Sequence, residues 1–243
     1  MRLSRRCLAL VGLALSALLM FVLAACATST TGGANAGASA TGTVPLSASA
    51  RDILTKAQAV KLKDATLKTQ VTTKRGSQTV TLDGTARTTA DPRRIEVIGT
   101  ASQVVPYHAV VDGNVIYIKL NDKWLKVSLG SANAEFNYDF LSLVEQLQNP
   151  GLVGTETING VPTYHLRGTV QAPVTPGANQ SIETTTEDLW VRQSDYYPVQ
   201  IVAHGAGTNK GTSITVDVTA TFTAWNSGVT ITPPPPDQVT TVS

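Results

Sequence analysis

Alternation of apolar and polar residues at a period of two is the feature of this sequence that most restricts its fold. It is clearest near the C-terminus, where threonines and an aspartate separate an apolar series formed by Ile214, Val216, Val218, Ala220 and Phe222. Successive side chains of a β-strand point to opposite faces of a sheet. The pattern therefore predicts strands that are apolar on one face and polar on the other.

Short turn signals separate the alternating segments. Gly76, Gly113-Asn114, Asn121-Asp122 and Asn159-Gly160 each lie between two such segments. These residue types favour tight hairpin turns, because they tolerate positive φ angles or form local hydrogen bonds. Their spacing predicts about ten or eleven antiparallel strands, joined mainly as hairpins.

Two segments have helical periodicity instead. Apolar residues recur at helical spacing from Ile53 to Val60, and Ser49 or Ser47 is placed to cap this helix. Residues 135–147 carry a second helical stripe, which Asn149-Pro150-Gly151 is expected to end; its members are Phe136, Phe140, Leu143, Val144 and Leu147.

Together these elements predict an α+β domain built on one large curved antiparallel sheet packed over a few helices. A sheet of this length is expected to curl, and two helices are too few to fill its concave side, which predicts a hydrophobic cavity. Small residues in the inward phase have two interpretations, room for a ligand or close packing of the backbone; they are Gly84, Ala86, Gly99, Gly168 and Ala220.

The N-terminus has the layout of a bacterial export signal. Three arginines, Arg2, Arg5 and Arg6, precede an apolar run over residues 7–23, and Leu23-Ala24-Ala25-Cys26 matches the lipobox at which a signal is removed and the cysteine is acylated. We therefore predict a signal peptide over residues 1–25 and lipidation at Cys26. An uncleaved membrane anchor is the alternative, and the paired arginines faintly resemble a twin-arginine signal.

Removal of the signal peptide changes the cysteine content and the net charge of the mature protein. Cys7 would leave with the signal and Cys26 would be acylated, so the mature domain is predicted to have neither a disulfide nor a cysteine-based metal site. The full chain has 19 Lys+Arg and 17 Asp+Glu, and loss of three arginines leaves a net charge of about −1. This balance does not favour a nucleic-acid partner.

Composition sets the domain boundaries. Residues 26–47 begin with the cysteine and are rich in Ala, Gly, Thr and Ser, which predicts a flexible tether. The folded domain is predicted to span residues 48–232. Residues 233–243, which open with four prolines, are expected to form a Pro-rich tail outside the fold.

Residue patterns indicate no catalytic or metal-binding site. The three histidines, His108, His165 and His204, are far apart in alternating segments, whereas metal ligands usually occur in local pairs. The candidate carboxylate pairs are expected to be solvated acids near turns; they are Asp91 with Glu96, and Glu183, Glu187 and Asp188. We therefore predict a protein that is not an enzyme and needs no cofactor or metal.

Several short motifs follow one another in a specific order along the predicted domain. They are residues 110–117 followed by Lys123-Trp124, residues 154–160 leading into 164–168, Leu189-Trp190-Val191 before Pro198-Val199-Gln200, and residues 222–226. With the lipobox and the opening helix, their order and spacing resemble the LppX/LprAFG family of actinobacterial lipoproteins, whose fold is like that of the LolA lipoprotein carriers.

The resemblance implies a half-barrel of antiparallel strands wrapped over helices around a hydrophobic cavity. It also implies a lipoprotein anchored at the extracytoplasmic face of the cell membrane, which binds acylated lipids or glycolipids and carries them across the envelope, with a membrane transporter as a further candidate partner. Strand alternation and the second helical stripe supply the candidate cavity residues: Val71, Leu82, Ile95, Val97, Ile116, Ile118, Phe140, Leu143, Val144, Leu166, Ile201, Val216 and Val218.

Two other functional classes are open at this stage. A non-enzymatic envelope sensor or scaffold that binds a protein partner would have a filled core and an exposed apolar patch. A cell-wall hydrolase would need converging polar groups in a cleft, and the residue patterns supply none.

Overall fold

The computed structural model describes residues 49–102, 105–128, 144, 146–170, 180–209 and 211–241. Within these residues, the α-helix α1 (Ala50–Ala59) precedes the strands. The strands are β1 (Asp64–Arg75), β2 (Gln78–Ala90), β3 (Arg93–Ala101), β4 (Val105–Asp112), β5 (Val115–Leu120), β6 (Lys123–Ser128), β7 (Gln148–Ile158), β8 (Val161–Thr169), β9 (Gln180–Arg192), β10 (Pro198–Asn209), β11 (Thr212–Trp225) and β12 (Val239–Thr241). A short 3-10 helix, Pro236–Gln238, precedes β12.

All twelve strands form one curved sheet in the order β12-β6-β5-β4-β3-β2-β1-β11-β10-β9-β8-β7. Strands β1 to β6 pair in chain order, as do β7 to β11, and Gly113, Asn159 and Gly160 have the positive φ angles that their hairpin turns need. The pairing of β1 with β11, which joins Ala65 to Trp225, places the first and eleventh strands side by side near the middle of the sheet.

Helix α1 begins where the sequence indicates. Ser49 is the N-cap: its side chain accepts a hydrogen bond from the Asp52 backbone N–H, and the Asp52 carboxylate accepts one from the Ser49 N–H. Ile53, Leu54 and Ala57 turn toward the sheet and are buried. The helix lies against β7 and β8, so it covers one side of the sheet near that edge.

The second predicted helix, over residues 135–147, falls mostly outside the described residues. Of its described members, Val144 and Gln146 are helical and Leu147 is not. The described part of the chain therefore has less helix than the few helices that we predicted. β7 begins at Gln148 and runs through Pro150, where we expected a helix end. β7 is an edge strand with register shifts between Gln148 and Gly154, and an edge strand tolerates a proline because one side of its backbone has no partner.

The C-terminal segment corrects another prediction. Residues after 232 were expected to lie outside the fold, but Val239–Thr241 pair in parallel with Trp124, Leu125 and Lys126 of β6. Val229 and Val239 pack with buried Ile231 against Val110 and Trp124. Burial of these apolar side chains holds the segment on the sheet despite its prolines.

Candidate functional site

One face of the sheet, here called the inner face, is the face that α1 covers. Its largest cluster joins Ile53, Leu54 and Ala57 of the helix to the sheet residues Ala65, Leu67, Ala86, Leu166, Leu189, Val191, Ile201, Ala220 and Phe222. Strand register extends this face across the sheet: Leu67 lies opposite Ala86, and Ala86 lies opposite Val97. The result is a mainly apolar surface that extends over many strands.

The register places all the strand members of the predicted cavity set on the inner face. Val71 lies opposite both Leu82 and Val218, and Ile118 is linked to Val97 through Ala109. Ile95 and Ile116 both lie opposite Val111, while Leu166 and Ile201 both lie opposite Leu189. Val216 lies two residues before Val218 in β11 and therefore faces the same side of the sheet. Whether these residues contact a lipid stays a prediction.

The residues predicted to line the cavity differ in how close they lie to α1. Leu166 and Ile201 are fully buried in the cluster under α1, together with Val144. Val71, Leu82, Val216 and Val218 belong to two smaller clusters farther along the strands, and Val71 and Ile118 are half-buried. Phe140 and Leu143 lie outside the described residues.

The inward glycines are sites of close packing. A Cβ atom on Gly84 would lie 2.5 Å from the Ile98 carbonyl oxygen and 2.9 Å from the Tyr107 hydroxyl, and one on Gly168 would lie 2.8 Å from the Leu147 side chain. The absence of these side chains therefore lets neighbouring groups approach. Burial of the Tyr107 side chain beside Gly84 raises the pKa of Tyr107 to about 12, with a smaller contribution from the negative charge of Asp83.

An acidic residue, Glu187, lies on the inner face. Glu187 has the same phase as Leu189, is fully buried, and neither of its carboxyl oxygens has a hydrogen-bond partner. Burial, followed by the nearby charge of Asp188, raises the pKa of Glu187 to about 8. We expected Glu187 to be solvated, which was wrong. The signal that could have located it is its spacing of two from Leu189 and four from Val191.

The opposite, outer face carries the histidines. His165 Nδ1 lies 2.6 Å from Glu156 Oε1 and its Nε2 lies 2.5 Å from Asp188 Oδ1, while its ring stacks on Trp190 at 4.2 Å. The Trp190 indole N–H donates to Glu156, and this hydrogen bond is the main reason that the pKa of Glu156 is lowered. These groups satisfy one another, so the cluster has the character of a structural network.

The other histidines on this face are also paired with acids. His108 Nε2 lies 2.8 Å from Glu96, which also pairs with Arg87, and His204 Nδ1 lies 2.5 Å from Asp217. Glu96 is buried, so it too differs from the solvated acid that we predicted. Across the described ranges, no three His, Cys, Asp or Glu side chains are grouped closely enough to hold a metal ion.

The sequence also matches a protein-family model, LppX_LprAFG lipoprotein, over residues 48–231. The chain belongs to the LppX_LprAFG lipoprotein family. The motifs that suggested this family lie at strand pairings: residues 110–117 span the β4–β5 hairpin and residues 164–168 lie in β8.

Solved structures that are similar to this chain include two mycobacterial proteins. LprF from Mycobacterium bovis is 21% identical, with 76% of this chain and 96% of that chain covered and a TM-score of 0.48. LppX from Mycobacterium tuberculosis is 20% identical, with 74% and 98% covered and a TM-score of 0.47. A LolA superfamily protein from Nitrosomonas europaea is 12% identical, with 73% and 95% covered and a TM-score of 0.31.

A comparison with curated proteins finds no match to this member of the LppX_LprAFG family. In the part of the chain that the structure describes, no helix is long and apolar enough to cross a membrane.

Proposed function

We propose that this protein is a membrane-anchored lipoprotein that binds acylated lipids on its inner face and carries them through the extracytoplasmic part of the cell envelope. The observation that carries the proposal is the mainly apolar inner face, whose buried clusters extend over many strands and which meets a single described helix. Membership of a lipoprotein family supports the proposal, as does the lipobox that ends at Cys26.

The physical driving force would be transfer of acyl chains onto this face. Each buried methylene contributes about 0.8 kcal/mol, so one or two chains supply enough free energy to compete with a bilayer. Because the inner face extends beyond α1 to half-buried residues such as Val71 and Ile118, chains would lie along these outlying rows.

Native mass spectrometry of the full chain, purified in a mild non-ionic detergent from cells that export it, tests this function. We expect a bound species with the mass of a phospholipid or glycolipid, released by organic solvent. A protein that stays free of lipid after incubation with lipid vesicles would contradict the proposal and favour the protein-binding scaffold.

Two tryptophan substitutions locate the binding surface. Val97→Trp and Val144→Trp should each reduce lipid loading, because both side chains pack at the inner face. Ile98→Trp is the matched control: Ile98 follows Val97, points to the outer face and is 46% exposed. Normal loading of both inner-face variants would show that lipids bind elsewhere.

The proposed anchor has its own test. Cys26→Ser should abolish incorporation of a radiolabelled fatty acid and move the protein from the membrane fraction to the soluble extracytoplasmic fraction, or leave its signal uncleaved. Unchanged labelling of this variant would contradict acylation at Cys26.

A further inference from the structure

Glu187 is buried on the inner face without a hydrogen-bond partner for its carboxyl group. It is fully buried, and both carboxyl oxygens lack a hydrogen-bond partner. A buried polar group without a partner normally destabilises a fold, so each such group requires an explanation.

The surroundings of Glu187 contain small and apolar groups. Ala203 of β10 and Gly168 of β8 lie directly opposite it, and the Leu147 side chain occupies the space over Gly168. None of the three offers a side-chain donor or a charge. The neighbouring acid, Asp188, belongs to the outer face, where Arg167 and His165 bind it.

Protonation decides what Glu187 can recognise. Since its pKa is raised to about 8, the carboxyl carries a proton at neutral pH and can donate a hydrogen bond. A ligand with a charged group at this position would have to leave water for an apolar face, which is strongly unfavourable. An uncharged oxygen acceptor avoids that penalty.

An ester carbonyl is such an acceptor, and in an acylated lipid it is attached directly to the acyl chain. We propose that the Glu187 carboxyl donates a hydrogen bond to an ester carbonyl of a lipid whose chains lie on the inner face. This inference rests on the proposed function and adds a chemical selectivity to it: ester-linked lipids should be held in preference to ether-linked lipids, which lack the carbonyl.

Competition between two lipids tests the selectivity. The full chain in mild non-ionic detergent is incubated with equal amounts of dipalmitoyl phosphatidylcholine and its dihexadecyl ether analogue, and both retained lipids are measured by mass spectrometry. At about pH 6 we expect a roughly three- to tenfold preference for the ester, the range that one hydrogen bond supplies. At about pH 9.5 the carboxyl is ionised and the preference should disappear.

Three variants test whether the Glu187 carboxyl itself causes the preference for the ester lipid. Glu187→Gln keeps a hydrogen-bond donor that does not titrate, so this variant should prefer the ester lipid at both pH values. Glu187→Leu has no donor and should show no preference. Thr73→Val is the matched control: Thr73 is also buried with an unpartnered hydroxyl, but it lies on β1, three strands or roughly 14 Å from β9. Its preference should equal that of the native chain.

The outcomes distinguish this inference from the proposed function. Equal retention of both lipids by the native chain at about pH 6, or an unchanged preference in Glu187→Leu, would overturn the role of Glu187 while lipid binding stands. Retention of neither lipid would overturn both.

Discussion

Two consecutive acids of β9 have opposite environments. Glu187 faces inward, has no partner, and its pKa is raised to about 8. Asp188 faces outward; burial alone would raise its pKa, but hydrogen bonds from Arg167 and His165 lower it. Since the two residues differ by one methylene and one position, the contrast arises from the face. The outer face supplies Asp188 with side-chain partners, whereas the inner face leaves both carboxyl oxygens of Glu187 without one.

The largest expected effect comes from placing a second acid on the inner face. Leu189→Glu would introduce a carboxyl into the fully buried cluster under α1, and we expect it to lower the free energy of unfolding by at least about 4 kcal/mol. Thr186→Glu, an exposed position on the outer face of the same strand, is the control. Urea unfolding measures both, and equal stabilities would mean that the two faces do not differ as described.

Removing the inner acid should stabilise the protein. Glu187 has a higher pKa folded than unfolded, so the part of its destabilising effect that depends on ionisation grows as pH rises from about 4.5 to about 8 and is absent below that window. We expect Glu187→Leu to raise the free energy of unfolding by about 3 kcal/mol at neutral pH. Denaturant titrations at several pH values would show a gain that increases with pH, and a gain independent of pH would contradict the assigned pKa.

Removing the outer acid should have the opposite sign. Asp188→Asn weakens the interactions with His165 and Arg167, and we expect it to cost about 2 kcal/mol near neutral pH. The folded pKa of Asp188 is lowered, so its contribution is present above the unfolded value of 3.8 and is lost as the pH falls through the folded value. Native and variant proteins should thus become equally stable in strong acid; a difference that persists there would require another cause.

The smallest effect should come from an exposed pair on the outer face. His204 and Asp217 are about half exposed, so solvent screens their interaction. His204→Gln should therefore change the free energy of unfolding by less than about 0.5 kcal/mol. Thermal unfolding of the His204→Gln and Asp188→Asn variants measures both losses of stability. Equal losses would show that burial does not distinguish the two pairs.

The period-two pattern predicted much of the sheet. It assigned Val71, Leu82 and Val218 to one face, and the register places them there, because alternation in a strand is fixed by backbone geometry. The turn residues predicted hairpin neighbours for the same local reason. The pairing of β1 with β11 was not predicted, since neither local signal specifies which distant strands meet.

Two further features escaped prediction because they depend on tertiary context. Glu187 was classified by its residue type, although its phase with Leu189 placed it inside. The tail, residues 233–243, was classified by its prolines, although its Val239 packs against the cluster of Val110, Trp124 and Ile231. The lipid-binding role of the inner face and the acylation of Cys26 remain predictions to be tested by the experiments above.

The pairing of β1 with β11 also has a kinetic consequence. Strands β1–β6 and β7–β11 can each assemble from hairpins between neighbours along the chain, whereas the seam between them joins residues as distant as Ala65 and Trp225. Contacts of such long range form slowly because a large loop must close first. The two halves of the sheet should therefore acquire hydrogen-exchange protection before the seam does, and β1 would remain an open edge until β11 is available to pair with it.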